Sequence, residues 1–251
     1  MENKKIDTEK KKETLGETFR TVFYAVIIAV LVRTFWFEPF KIPSGSMYPT
    51  LEVGDFLFVS KYTYGYSRHS FPFSFPSFKG RIWQDLPERG DVVVFKYPGD
   101  NKTDYIKRII GIPGDTVQVK DGLLYINHQN VPRQKVGRYV ISEYTPFPQE
   151  FVEYIETLPN GKQHRILEYS DDVMIVDNTP EFTVPEGHYF MMGDNRDNSN
   201  DSRKDIGMVP LENIEGKARF LFYSHDDTSS WYNPISWIMA IRWKRLFNKI
   251  N

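Results

Sequence analysis

Three segments are polar where a β core should be plain. Residues 39–51, PFKIPSGSMYPTL, set two hydroxyls, Ser44 and Ser46, around a single glycine. Asp104-Tyr105-Ile106-Lys107-Arg108 places one amine beside apolar neighbours. Residues 193–203, GDNRDNSNDSR, gather Asp194, Ser199, Asp201 and Arg203. A hydroxyl can serve as a nucleophile and a neutral amine as a base, while carboxylate–guanidinium pairs hold loops in shape. Taken singly, each segment also reads as something plainer: a Pro/Gly/Ser loop, a strand with one solvated Lys, an Asx-rich turn.

Other chemistries are poorly served. The five histidines (69, 128, 164, 188 and 225) lie far apart, and there is no HExxH, GxSxG, GxxxxGK[ST] or D[TS]G. With no cysteine, a disulfide framework, a thiolate zinc site and a Cys nucleophile are excluded. Asp197-x-Ser199-x-Asp201 opens like a calcium loop, but Ser202 stands where glycine is needed and Met208 where glutamate is. No metal and no cofactor are expected. The 32 basic residues balance 33 acidic ones, which argues against a nucleic-acid partner.

The elements that must position these groups are of two kinds. Residues 1–17 form a polar tail, and residues 18–37, TFRTVFYAVIIAVLVRTFWF, an apolar stretch. Its uninterrupted core, Thr21 to Val32, is only twelve residues long. It reaches the ~20 residues of a spanning helix if Arg20 and Arg33 snorkel to the two interfaces. Lys4, Lys5, Lys10, Lys11, Lys12 and Arg20 precede the span, and only Arg33 and Lys41 follow closely. The positive-inside rule then puts the tail in the cytoplasm and everything after Phe37 outside. Beyond it, DVVVFKY, DYIKRII, TVQVK, LLYIN and ARFLFY are short branched and aromatic runs. Pro98-Gly99, Pro113-Gly114 and Asp121-Gly122 punctuate them as turns. The body is expected to be mostly antiparallel β-sheet in two lobes.

Together the three segments resemble one family, the bacterial type I signal peptidases, membrane-bound serine proteases with a Ser–Lys dyad. IPSGSMYPTLEVGDFLFVSKYTYG, RGDVVVFKYP, DYIKRIIGIPGD and YFMMGDNRDNSNDSR occur in the family's order. The resemblance covers nearly all of residues 33–123 and 186–223. It implies Ser46 as nucleophile, Lys107 as general base and Ser44 as the side-chain donor of the oxyanion hole. Ser199 would orient the lysine, and Asp194, Asp201 and Arg203 would shape the site. Ile42, Pro43, Leu51, Tyr105 and Ile106 are implied for one shallow pocket, and Phe40, Leu57, Val94, Asp104 and Ile106 for a second. Met47, Tyr105 and Ile106 are the candidate apolar neighbours of Lys107. The resemblance also implies a catalytic body of residues 38–123 and 186–251, and a smaller inserted β domain of residues 124–185. It further implies a protein of the bacterial inner membrane, acting outside the cytoplasm on signal peptides, with membrane lipid as its other partner. The family's well-studied Gram-negative members often have two spans and a disulfide, whereas the one apolar run here makes the chain single-pass and it has no Cys.

The chemistry is coherent. A free lysine has a pKa of roughly 10.4, and desolvation can lower it by several units. A substrate bound as a strand presents alternate side chains to one face, so positions one and three before the cut enter adjacent pockets. Small-x-small (Ala-X-Ala) specificity then reflects two shallow pockets. Two alternatives are a dedicated processing protease with the same dyad, and a catalytically dead, membrane-tethered peptide-binding scaffold. The aromatic run 69–78, HSFPFSFPSF, is expected to dip into the membrane surface, together with Trp231, Trp237 and Trp243 beside Arg242, Lys244 and Arg245.

Overall fold

The computed structural model describes residues 15–169, 175–228 and 233–251. Helix α1 (Leu15–Phe35) contains 21 residues, so it is about 32 Å long, enough to cross a hydrocarbon core. Thr34 is its one buried residue, and by length and composition the helix can span a membrane. Phe37, expected to close the span, instead opens the first strand.

Among the described residues fourteen strands follow: β1 (Phe37–Lys41), β2 (Asp55–Ser60), β3 (Val92–Lys96), β4 (Asp104–Gly111), β5 (Thr116–Lys120), β6 (Leu123–Ile126) and β7 (Gln129–Asn130), then β8 (Arg133–Ile141), β9 (Gln149–Thr157), β10 (Gln163–Glu168), β11 (Phe182–Thr183), β12 (His188–Met192), β13 (Val209–Pro210) and β14 (Ile214–Ser224). They form an antiparallel seven-stranded sheet in the order β1-β2-β14-β3-β4-β12-β13, a three-stranded sheet β10-β9-β8 and a four-stranded sheet β11-β5-β6-β7. A short helix α2 (Pro234–Met239) lies near the C-terminus. The mostly antiparallel β architecture matches the expectation from the turn-punctuated runs.

Local chemistry explains the hairpins. Asp121 and Gly122 both hold positive φ, 49° and 71°, as a two-residue hairpin turn requires, and Asp and Gly tolerate it best. That turn joins β5 to β6, so the four-stranded sheet runs across residues 123 and 124. Alternation along β3 sorts its side chains to opposite faces. Val92 and Val94 enter a core with Ile42, Met47, Leu51 and Leu57, while Val93 and Phe95 enter another with Ile109 and Met191.

The anchor helix is joined to the body without slack. Arg33 pairs with Glu38 on β1, which Lys61 also meets at 2.6 Å, and its side chain stays 68% exposed at the helix end. Tyr66 donates its hydroxyl to the carbonyl of Phe35 at 2.7 Å, and Lys61 N–H bonds the carbonyl of Trp36.

Aromatic residues concentrate where sequence spacing did not point. Phe56 and Phe58 of β2 face Phe220 and Phe222 of β14, and Phe37 joins them next to the helix end. In the 69–78 run, Phe71 packs on Phe35 and Phe78, whereas Phe75 is 76% exposed. The side chain of Phe73 and the whole of Trp231 lie outside the described residues. Trp237 and Trp243 are exposed. Arg242 and Arg245, expected at a membrane surface, are engaged by Glu143, Glu52 and Asp55. Ion pairing thus withdraws two of the three cations from that contact.

Candidate active site

Ser46 sits in a single 3-10 turn (Gly45–Met47) between β1 and β2. The turn is held from the third polar segment: Asn195 donates its backbone N–H to the Ser46 carbonyl at 3.1 Å and its side-chain amide to the Gly45 carbonyl at 3.0 Å. Lys107 lies on β4, opposite Val93 of β3. Its Nζ is 2.6 Å from Ser46 Oγ and 2.9 Å from the Ile106 carbonyl. Both side chains are buried.

Burial is what tunes the amine. Desolvation lowers the pKa of Lys107 from 10.5 to about 8, against the attraction of Asp201 and Asp194. The lowering corresponds to roughly 3 kcal/mol of destabilised ammonium. An amine with this value is partly neutral near pH 8, and a neutral amine can take a proton from a hydroxyl.

The remaining charges form a frame around this pair. Arg108 grips Asp194 with two prongs, Nε to Oδ1 at 2.8 Å and Nη2 to Oδ2 at 2.7 Å. Thr50 donates to the same carboxylate at 2.5 Å, and Arg108 Nη1 donates to the carbonyls of Gly90 and Asn251, each at 2.8 Å. Asp201 receives Arg203 Nε and Nη2 at 3.0 and 2.9 Å, and the N–H of Gly193 at 3.0 Å. Desolvation opposes the ionisation of both aspartates, yet Arg108 and Arg203 hold them below the usual carboxylate range. Behind them, Arg196 pairs with the buried Glu156 of β9. Leu167 N–H bonds the Asp194 carbonyl, and Arg196 N–H bonds the Leu167 carbonyl, so the three-stranded sheet is tied to this loop.

The other expected site residues fall into three groups. Ser44 is exposed, immediately before the turn, and its side chain makes no capping bond. Ser199 is buried, and its Oγ makes no hydrogen bond to Lys107 or to any other described group. Phe40, Ile42, Met47, Leu51, Leu57, Val94 and Ile106 converge in one apolar cluster. Pairing explains part of this convergence: Phe40 stands opposite Leu57, and Val94 opposite Ile106. Tyr105 belongs to the neighbouring core, with its ring centroid 5.7 Å from Lys107 Nζ, and Pro43 is exposed. Asp104 is exposed and bonded to Lys96 at 2.5 Å.

Sequence reasoning missed Arg108, Thr50, Asn195 and Glu156. Arg108 adjoins Lys107 and Asn195 adjoins Asp194, so adjacency was a signal for both. Glu156 carried none, because it lies in the segment without motifs.

Comparisons with known proteins point to one family. The family model described as signal peptidase, peptidase S26, matches residues 15–223. The chain belongs to the S26 signal peptidase family. Signal peptidase I of Rickettsia typhi is 40% identical over 261 residues, spanning 97% of each chain. That of Rickettsia canadensis is 40% identical over 263 residues, covering 98% of this chain and 97% of the relative. A solved signal peptidase I from Enterococcus faecalis has 31% identity and a TM-score of 0.32, covering 53% of this chain and 97% of that one.

Proposed function

We propose that this signal peptidase is a membrane-anchored serine endopeptidase that cleaves signal peptides from exported preproteins after a small-x-small (Ala-X-Ala) end. Ser46 is the nucleophile and Lys107 the general base. The observation that carries the reading is the 2.6 Å approach of Lys107 Nζ to Ser46 Oγ in a buried setting.

In the proposed mechanism, neutral Lys107 takes the hydroxyl proton as Ser46 Oγ attacks the scissile carbonyl. The backbone N–H of Ser46 and the hydroxyl of Ser44 stabilise the oxyanion. The lysine then returns the proton to the leaving amine, and water hydrolyses the acyl-enzyme by the reverse route. The apolar cluster around Ile42, Leu57 and Ile106 supplies shallow walls for the small side chains. Asp194, Asp201 and Arg203 hold the frame, and Ser199 aims the lysine once substrate is bound. Residues 38–123 and 186–251 form the catalytic body in this reading, with residues 124–185 inserted and the β5–β6 hairpin bridging the two. The body lies outside the cytoplasm of a bacterium, with the tail inside.

The deciding experiment incubates the purified full chain with a preprotein and reads the product on a gel. A shortened product starting at the residue after an Ala-X-Ala sequence is expected. No product would leave the peptide-binding scaffold standing.

A further inference from the structure

A cavity of about 700 Å³ opens beside the membrane end of the body and contains neither Ser46 nor Lys107. Phe37 and Tyr62 form one part of its wall, and Lys162, Lys217, Arg219 and Lys249 another. Asp91 satisfies two of these cations, at 3.0 Å from Lys162 and 2.6 Å from Lys217. The other two are left over. Arg219 donates only to hydroxyls, Nε to Ser60 at 2.8 Å and Nη2 to Thr63 at 2.7 Å, so Nη1 has no acceptor among the described residues. Lys249 is exposed and has no carboxylate partner among the described residues.

Position narrows the ligand. Phe37 lies two residues beyond Phe35, the last residue of α1, so at ~3.3 Å per residue it stands about 7 Å past the helix end. The polar headgroup layer on each side of a bilayer is on the order of 5–8 Å deep, so with α1 spanning the membrane the Phe37 wall of the cavity is within reach of that level. Aromatic side chains at the rim suit the interface, and a guanidinium with a free donor suits a phosphate oxygen.

We propose that this cavity binds the phosphate headgroup of an anionic phospholipid, with Arg219 and Lys249 as its cationic contacts. The site rests on the reading of α1 as the membrane anchor. Asp91 and Glu88 together offset the two inner lysines, Glu88 meeting Lys162 at 2.8 Å, which leaves Arg219 and Lys249 as two positive charges for one phosphodiester. A zwitterionic headgroup brings its own cation and fits less well.

The test uses the full chain released from detergent micelles into native mass spectrometry, with dioctanoyl phosphatidylglycerol or dioctanoyl phosphatidylcholine as probe. One phosphatidylglycerol per chain should be retained, with a Kd at least tenfold below that of phosphatidylcholine. Arg219→Gln combined with Lys249→Gln should abolish the preference while leaving cleavage of a short peptide unchanged. If the double variant melts early, Lys249→Gln alone decides, since its side chain is exposed; it should weaken retention at least threefold. Equal retention of the two lipids, or a preference that survives in the variants, overturns the proposal. Displacement by equimolar inorganic phosphate or by an acidic peptide also overturns it, in favour of a soluble anion. Flotation of the wild-type chain with neutral vesicles reports separately on the anchor, whose failure would appear there and not in lipid selectivity.

Discussion

Gly193 and Ser199 approach so closely that there is no room for a side chain on the first. A Cβ on Gly193 would lie 2.3 Å from Ser199 Oγ and 2.5 Å from the carbonyl oxygen of Ser46. The carbonyl is backbone and cannot swing away, so the turn carrying Ser46 would have to shift. Gly193→Ala is expected to lower kcat at least 100-fold, because a displacement near 1 Å in a reacting geometry costs about that much. Kinetics with a peptide substrate, beside a thermal melt that separates misplacement from unfolding, check this.

Ser46→Ala and Lys107→Ala should each remove essentially all cleavage with the fold intact. Activity above about one per cent of wild type in either purified variant would reject the dyad. Ser44→Ala should be milder, since the backbone N–H of Ser46 remains. Losing one oxyanion donor costs about 3–4 kcal/mol, so kcat should fall roughly 10² to 10³-fold.

The pH profile follows from burial of the amine. Lys107 is the more neutral the higher the pH, so activity should rise through an apparent pKa of about 8. Desolvation holds His69 and His164 near 4, and neither can supply that limb. Replacing His128, His188 and His225 by Gln should leave it in place. A limb that disappears with one of them would identify another base.

The same lysine should cost stability. Its folded pKa lies below its unfolded value, so between about 8 and 10.5 the unfolded chain binds the extra proton and stability rises with pH. Below about 8 both states are protonated and the full penalty applies. Lys107→Met should therefore raise the melting temperature at pH 7, with a gain that shrinks toward pH 10. Chemical denaturation at the two pH values measures it, and an equal gain at both would refute the burial argument.

Arg108 and Asp194 behave in the opposite sense. Asp194 is held ionised by Arg108 despite its burial, so its contribution is present above the ordinary aspartate pKa and lost as pH falls through the lower folded value. Asp194→Asn leaves a buried guanidinium without its counter-charge, which should cost about 3–5 kcal/mol. It should also flatten the acid limb of a stability curve followed by circular dichroism.

Sequence alone singled out the candidate residues of the site. Ser46, Lys107 and the 193–203 segment could be named because each lies in a contiguous polar block, and contiguity survives in one dimension. The strands and the Asp121-Gly122 hairpin were equally legible, since branched residues and positive-φ turn residues act locally. The anchor was legible from its apolar run.

Only the tertiary structure decided how these parts meet. The approach of Lys107 to Ser46 spans 61 positions, and the pair of Arg108 with Asp194 spans 86. No local preference encodes either distance. Arg242 and Arg245 were read as membrane contacts because Glu52, Asp55 and Glu143 are far away in the chain. The depressed pKa of Lys107 is likewise a property of burial, and burial exists only once the sheet has closed over the amine.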